Sequence, residues 1–181
     1  IQEENSRLSD QVDAILTMYS IENGSLSIKE EPIDLNEIVE SAVARFSLQA
    51  AQKGGRLLCS IPEDVGPIKG DRRLLTIAIG NLIDNALKYS DTTPEVMLKV
   101  VRNGNWIELH VSDNGPGIPP AFHDKVFERY FRISHQDVHN VKGFGLGLSF
   151  AKQVVEIHKG AIVLNSGSGK GTTFILRLPY A

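Results

Sequence analysis

Two carboxamides and a lysine recur at helical spacing in the segment NLIDNALKYS, residues 81–90. In a helix, Asn81, Asn85 and Lys88 lie on one stripe, with Tyr89 at its edge. A carboxamide oxygen is a hard ligand for Mg²⁺, and a lysine ammonium is a point charge for a phosphate. The segment therefore suits a Mg²⁺–phosphate site, although taken by itself it is better explained as a solvated helix face.

A carboxylate at the end of a predicted strand is the second candidate. Every second residue of 107–111 is apolar, and Asp113 continues that phase, which directs it towards the core. A buried carboxylate needs a partner, either a backbone amide of the next turn or a ligand donor such as an exocyclic amine. Residues 115–118, GPGI, follow, where glycines would let a flat ligand approach the backbone and Ile118 could pack on its face.

A glycine-rich segment, KGFGLGLS at Lys142–Ser149, precedes an amphipathic helical pattern. Free amides at such a helix start can hold an anion. It is not a Walker loop, because the pattern GxxxxGK[ST] is absent. The stretch from Phe131 to Gly145 has no periodicity and is predicted to be a mobile lid. A later loop, GSGKG at 167–171, suits a plain hairpin as well as a ligand site.

Capping and periodicity predict the elements that hold these residues. Asp34 and Asp71 are predicted N-caps of helices that end near Lys53 and Tyr89. A hairpin turn is expected at 103–105, because Asn-Gly favours a tight turn. Strands are expected at 56–61, 95–102, 106–113, 161–166 and 172–178, with a short helix at 121–130. This mixture predicts the α/β class.

Composition is that of an ordinary globular domain. The chain has 181 residues, of which 41% are hydrophobic and 23% charged, enough for one core and a small appendage. A net charge of −3 argues against a nucleic-acid surface. The single cysteine, Cys59, lies in an apolar run and is predicted to be a reduced core residue. No transmembrane run or signal peptide is visible.

The first 24 residues differ from the rest. Ile1, Leu8, Val12, Ile15 and Tyr19 fit a heptad stripe in an otherwise polar stretch. We expect one strand of a helical dimerisation bundle, with a helix folded back on the domain as the alternative. The predicted division is therefore 1–24 and 25–181, and the beginning in mid-pattern is interpreted as that of a piece of a longer protein.

Five motifs occur in order: NxxxNxxKY, DxGxGI, FERYFR, GxGLGLS and GxGTTF. Together they resemble the ATP-binding domain of sensor histidine kinases, in the superfamily shared with gyrase, MutL and a heat-shock chaperone. The resemblance covers roughly Ile33–Pro179. It implies a two-layer α/β sandwich of the Bergerat type, with a mixed, largely antiparallel sheet, helices on one face and an N-terminal helix. It also implies ATP and Mg²⁺ as ligands, and residues 1–24 as the end of a dimerisation helix.

The resemblance also implies roles for single residues. Asn85 would bind Mg²⁺, Lys88 and Arg132 would reach the phosphates, and Asp113 would accept from the adenine amine. Asn81 and Tyr89 complete the first motif. The other implied nucleotide-binding residues are Gly115, Gly117, Ile118, Lys142, Gly143, Gly145, Leu146, Gly147, Gly171 and Thr173. Thr173 would help to hold the adenine. Many relatives carry a small polar residue where this chain has Phe144. This difference bears on the conformation of the lid and not on nucleotide binding.

The implied activity is transfer of the γ-phosphoryl of Mg²⁺-ATP to a histidine on a dimerisation domain, followed by relay to an aspartate of a response regulator. Residues 1–21 contain no histidine, so the acceptor is expected elsewhere, and His123-Asp124 matches an acceptor pair only superficially. The expected context is a homodimeric, bacterial sensor that is membrane-anchored, with this chain as its soluble cytoplasmic portion.

The alternatives are a nucleotide-binding regulatory module, such as a pseudokinase or an anti-sigma-type serine kinase, and an ATPase. Gyrase and MutL relatives use a Glu four residues before the metal-binding Asn to activate water. Here that position is Asn81, and a carboxamide cannot take a proton from water near neutral pH. This favours the kinase over the ATPase.

Overall fold

The computed structural model describes residues 12, 15–21, 23–63, 65–90, 93–133 and 144–181. Four helices and seven strands are seen there. The helices are α1 (residues 15–21), α2 (Leu35–Gln52), α3 (Arg72–Tyr89) and α4 (Gly147–Ile157). The strands are β1 (Glu31–Ile33), β2 (Arg56–Ser60), β3 (Ile68–Gly70), β4 (Glu95–Asn103), β5 (Trp106–Asp113), β6 (Ala161–Ser166) and β7 (Thr172–Pro179).

Both predicted helix caps are confirmed. The backbone amide of Asn36 donates to Asp34 Oδ1 at 2.9 Å, at the start of α2. The amide of Leu74 donates to Asp71 Oδ1 at 3.1 Å, at the start of α3. Each bond satisfies one of the amides that a helix start leaves without an intrahelical partner.

Five strands form the main sheet in the order β2-β4-β5-β7-β6. Only β2 and β4 pair in parallel, and the other neighbours are antiparallel. This confirms the mixed, largely antiparallel sheet. The hairpin between β4 and β5 is also confirmed, with Asn103 opposite Trp106 and Gly104 at a φ of 60°. Cys59 is exposed rather than buried, because β2 is an edge strand of the sheet.

Helices cover one face of this sheet, as predicted. The alternate residues of β4, β5 and β7 that face α3 and α4 are buried, whereas Met97 and Trp106 on the opposite face are 38% and 40% exposed. The largest fully buried side chains of the helices and the five-stranded sheet are Leu35, Ile38, Leu74, Leu75, Ile79, Leu82, Ile83, Leu87, Leu98 and Phe150. The apolar face of α3 is central to this core.

Two features were not predicted. A small antiparallel sheet pairs β1 with β3, where Ile33 and Ile68 are opposite each other and fully buried. Three-residue strands are too short to show an alternating pattern. The helix expected over 121–130 is instead two 3₁₀ turns, Pro120–Phe122 and Lys125–Phe127.

The N-terminal helix α1 has two different faces. Thr17 and Met18 are buried, and Met18 belongs to the main core cluster. Ile15, Leu16 and Tyr19 remain 46%, 58% and 66% exposed. One face therefore contacts the domain and an apolar face stays exposed. The division at residue 24 and the dimerisation bundle stay predictions. Within the described residues, no helix has both the length and the apolar composition needed to cross a membrane.

Candidate functional site

Helix α3 presents one partly exposed stripe beside its buried face. Asn81, Asp84, Asn85 and Lys88 are all partly exposed, while the intervening residues 82, 83, 86 and 87 are buried. The Lys88 ammonium forms an ion pair with the Asp84 carboxylate, one helical turn earlier. Asp84 was not predicted from the sequence, although its position three residues after Asn81 places it on the same face.

The start of α4 lies against this stripe. A Cβ added to Gly147, the first residue of α4, would be 3.5 Å from Asn81 Cγ and 3.7 Å from Asn85 Nδ2. Leu146, the N-cap, provides no side-chain cap. The first backbone amides of α4 therefore have no capping side chain. They form the positive end of the helix dipole, close to the carboxamides of Asn81 and Asn85. Among the described residues, neither carboxamide has a hydrogen-bond partner.

Asp113, at the end of β5, is partly buried with an asymmetric environment. Its Oδ1 accepts hydrogen bonds from the backbone amides of Gly115 at 2.8 Å and Thr172 at 3.2 Å. No bond from the described residues reaches its Oδ2. Burial raises the pKa of the Asp113 carboxyl, and the two amide hydrogen bonds oppose that rise. The carboxylate thus keeps one oxygen available for a ligand donor.

Glycines pack the backbone closely around Asp113. A Cβ on Gly115 would lie 2.9 Å from the Tyr89 carbonyl oxygen, so the end of α3 meets this turn. A Cβ on Gly171 would lie 2.1 Å from the Asp113 carbonyl oxygen, and one on Gly117 would lie 2.0 Å from that of Gly167. Side chains cannot be accommodated there, which explains why the sequence has glycine at these positions.

Thr173 is not where the resemblance implied. Its hydroxyl lies 2.9 Å from Ser112 Oγ, on the face of the sheet away from the helices. Thr172 is instead opposite Asp113, is buried, and donates its amide to that carboxylate. Strand alternation is the signal that could have identified it, because Thr172 shares the phase of the buried Phe174.

The two ends of the predicted lid lie side by side. The amide of Tyr130 donates to the carbonyl oxygen of Gly145 at 3.0 Å, and Gly145 has a φ of 70°. The predicted lid residues Lys142 and Gly143 lie outside the described residues. Arg132 is exposed, and Ile118 packs partly against the core, with its amide donating to Ser166 Oγ at 2.8 Å.

The predicted residues thus form two connected groups. Asn81, Asn85 and Gly147 meet between α3 and α4, and Tyr89 connects the same helix with the turn around Asp113. One group offers neutral oxygen ligands and cationic or amide donors, which suit phosphates. The other offers an acceptor beside close-packed glycine backbone, which suits a flat base carrying an amine. This donor set fits a nucleotide.

The residues also fit Mg²⁺ held jointly with phosphates. Within the described part of the chain, no group of three or more His, Cys, Asp or Glu side chains could enclose a metal ion. Mg²⁺ does not require such an enclosure, because it commonly keeps several waters and binds through one or two protein oxygens plus substrate phosphates. A single carboxamide such as that of Asn85 is sufficient as the protein ligand.

Comparison with known families agrees with this geometry. The family model described as histidine kinase-, DNA gyrase B-, and HSP90-like ATPase matches residues 70–181. The sensor protein RprX of Bacteroides fragilis is 33% identical over 184 residues, covering 99% of this chain and 35% of that protein. The sensor protein kinase WalK of Staphylococcus aureus is 33% identical over 180 residues, covering 98% of this chain and 43% of that protein. The chain thus spans less than half of either relative.

Solved structures show the same fold. The mycobacterial sensor histidine kinase MprB is 30% identical, with a TM-score of 0.69, covering 83% of this chain and 97% of that one. Full-length ShkA, solved in complex with AMPPNP, is 22% identical, with a TM-score of 0.83, covering 99% of this chain and 37% of that one. The likeness to the fold of ShkA therefore extends over nearly the whole of this chain.

Proposed function

Because the chain belongs to the histidine kinase-, DNA gyrase B-, and HSP90-like ATPase family, on its sensor histidine kinase branch, we propose that it binds Mg²⁺-ATP and transfers the terminal phosphoryl group to a histidine of a dimerisation domain. The observation that carries this proposal is Asp113. Its Oδ1 is held by two backbone amides, and no described residue occupies its Oδ2. That arrangement suits the exocyclic amine of adenine.

At the adenine end, Asp113 accepts from the amine and Thr172 holds the carboxylate in place. Gly115, Gly117 and Gly171 let the backbone pack closely around Asp113, because an added Cβ at any of them would meet neighbouring backbone. Thr172, rather than Thr173, therefore takes the adenine-side role in this proposal.

At the phosphate end, Lys88 and the first amides of α4 bind phosphate oxygens, and Asn85 holds Mg²⁺. The bound metal would neutralise charge on the phosphates and align them. Lys88 must leave the Asp84 carboxylate, at least in part, to reach a phosphate. Arg132, near the start of the predicted lid, is the second cation proposed for the terminal phosphate.

The transfer itself breaks the bond between the terminal phosphorus and the β,γ-bridging oxygen and forms a phosphorus–nitrogen bond to imidazole. ADP leaves with the bridging oxygen, and the imidazole nitrogen loses its proton to a base or solvent. The residues on this chain supply position and charge rather than covalent chemistry. Water is a poor competitor, because Asn81 cannot act as a base.

The described histidines are already engaged within the domain. The ring of His110 bonds to Glu108, and His123 Nε2 lies 2.9 Å from the Ile118 carbonyl oxygen. His158 is buried, lies 2.6 Å from the Val154 carbonyl oxygen through Nδ1, and accepts the amide of Asp71 at 2.8 Å through Nε2. The acceptor is therefore proposed to lie on a separate dimerisation helix, with a response regulator and a second protomer as further partners.

The test is incubation of this chain with ATP labelled in the terminal phosphate, with and without a separate dimerisation domain carrying a His-acid pair. We expect Mg²⁺-dependent ATP binding, almost no label on this chain, and slow, concentration-dependent label on the added domain. Acid-labile label on this chain alone would contradict the placement of the acceptor. Rapid phosphate release without an acceptor would favour an ATPase.

A further inference from the structure

The hydroxyl of Ser166 connects three segments around the proposed adenine site. It accepts the amide of Ile118 at 2.8 Å, donates to the carbonyl oxygen of Gly171 at 2.8 Å, and lies 3.2 Å from Thr172 Oγ1. Ser166 ends β6, Ile118 follows the turn after β5, and Thr172 begins β7. One oxygen thus bridges two loops and the first residue of β7.

The hydrogen-bonding capacity of this hydroxyl is fully used. A serine hydroxyl has one proton and two lone pairs. The single proton goes to the Gly171 carbonyl, which can only accept, so Thr172 must be the donor in the bond between the two hydroxyls. Thr172 Oγ1 then has only lone pairs to offer a ligand, and the backbone amide of the same residue donates to the Asp113 carboxylate.

The two loops are also held together by contacts apart from Ser166. The amide of Gly169 donates to the Pro116 carbonyl oxygen at 2.6 Å, and β6 pairs with β7 along its whole length. The Ser166 hydroxyl is therefore not needed to form the hairpin. Its distinctive contribution is to set the position of Ile118 and the direction of the Thr172 hydroxyl.

We propose that Ser166 determines the base specificity of the site, as a positioning residue that holds Ile118, Gly171 and Thr172 around Asp113 and keeps the Thr172 hydroxyl an acceptor. With Asp113 and Thr172 both accepting, the site favours a base that presents an amine and rejects one that presents a carbonyl. The inference rests on the proposed function, because it assigns the base to this end of the site.

The test measures calorimetric Kd values for ADP and for inosine diphosphate, which has a carbonyl in place of the adenine amine. Wild type is expected to prefer ADP. Ser166→Ala should weaken ADP binding about tenfold, the effect of a lost hydrogen bond to a polar group, and change inosine diphosphate binding by less than about twofold. Ser112→Ala, which removes a matched hydroxyl on the other face of the sheet, should leave the preference unchanged.

A second variant keeps the test decisive if Ser166→Ala does not fold. Thr172→Val removes the acceptor hydroxyl and should reduce the ADP preference to a similar extent. The double variant should lose little more of that preference, because both residues act through one network.

Equal weakening of the binding of both nucleotides in the single variants would indicate a purely structural role and overturn the inference. If wild type binds neither nucleotide, the proposed function itself fails. If wild type prefers ADP and Ser166→Ala and Thr172→Val keep that preference, only this inference fails.

Discussion

Asp113 and Thr172 are 59 residues apart in the sequence, yet the amide of Thr172 donates to Asp113 Oδ1 at 3.2 Å. The pairing of β5 with β7 brings them opposite each other. One carboxylate oxygen is thereby committed to the fold and the other is left for a ligand. This relationship determines how substitutions at Asp113 should affect stability and binding.

Asp113→Asn should weaken ADP binding by about 1–3 kcal/mol, because an amide group can present a donor where the adenine amine needs an acceptor. Calorimetric titration of both proteins with ADP measures this. Asp124→Asn, which changes the same kind of side chain between the two 3₁₀ turns, is the control. Unchanged affinity in Asp113→Asn would remove Asp113 from the base site.

The same substitution should stabilise the nucleotide-free domain at neutral pH. Burial raises the pKa of Asp113 in the folded state, so the unfolded chain loses this proton first as the pH rises. The free energy of unfolding therefore falls as the pH rises from the ordinary aspartate pKa through the raised one, and it stays lower above the raised pKa. Asp113→Asn removes this loss of stability, because the amide does not ionise. Urea unfolding should show the gain of the variant over wild type at neutral pH and its loss below the ordinary pKa, whereas a constant difference would contradict the argument.

Asn85→Ala should reduce ADP affinity mainly when Mg²⁺ is present. The Asn85 carboxamide lies on the stripe with Lys88, at a distance from the adenine acid along α3. Titrations with Mg²⁺ and with a chelator separate the two contributions, and Asn165→Ala, at an exposed position of β6, is the control. An equal loss with and without Mg²⁺ would count against the metal role.

Gly171→Ala should cost more stability than Gly169→Ala. Both glycines have a φ near +70°, so both substitutions carry the penalty of about 1 kcal/mol for a left-handed residue. Only at Gly171 does the added Cβ meet backbone, 2.1 Å from the Asp113 carbonyl oxygen, whereas nothing lies within 4 Å at Gly169. We expect an additional cost of about 1–3 kcal/mol at Gly171 in urea unfolding. Equal losses of stability in the two variants would show that the loop around Gly171 moves to accommodate the added methyl group.

Asp84→Asn should increase ADP affinity at low salt, by up to about 1 kcal/mol. The substitution releases Lys88 from its ion pair and removes a negative charge close to the proposed phosphates. Glu156→Gln, which breaks the i,i+4 pair with Lys152 on α4, is the matched control and should have little effect. The gain should shrink as salt is added. A fall in affinity would indicate that the ion pair instead holds Lys88 ready for the phosphate.

Local patterns predicted most of the elements. Caps at Asp34 and Asp71 and the alternation in β5 depend on neighbours within a few residues, so they can be recognised in one chain. The short strands β1 and β3 and the 3₁₀ turns were missed, because so few residues carry no period. The sequence pattern does not distinguish Thr173 from Thr172, and only the register of β7 against β5 shows that Thr172 is the residue opposite Asp113.

By itself, the sequence determined the long helices α2, α3 and α4, the strands of the five-stranded sheet, and the side chains that share the partly exposed stripe of α3. Asn81, Asn85 and Lys88 share a stripe because helical geometry depends only on spacing. Only the tertiary structure decided which segments surround Asp113, and that the hydroxyl of Ser166 joins Ile118 to Gly171. The bonds from Thr172 to Asp113 and from Ile118 to Ser166 span 59 and 48 residues and arise from strand order and loop packing, for which short-range periodicity has no signal.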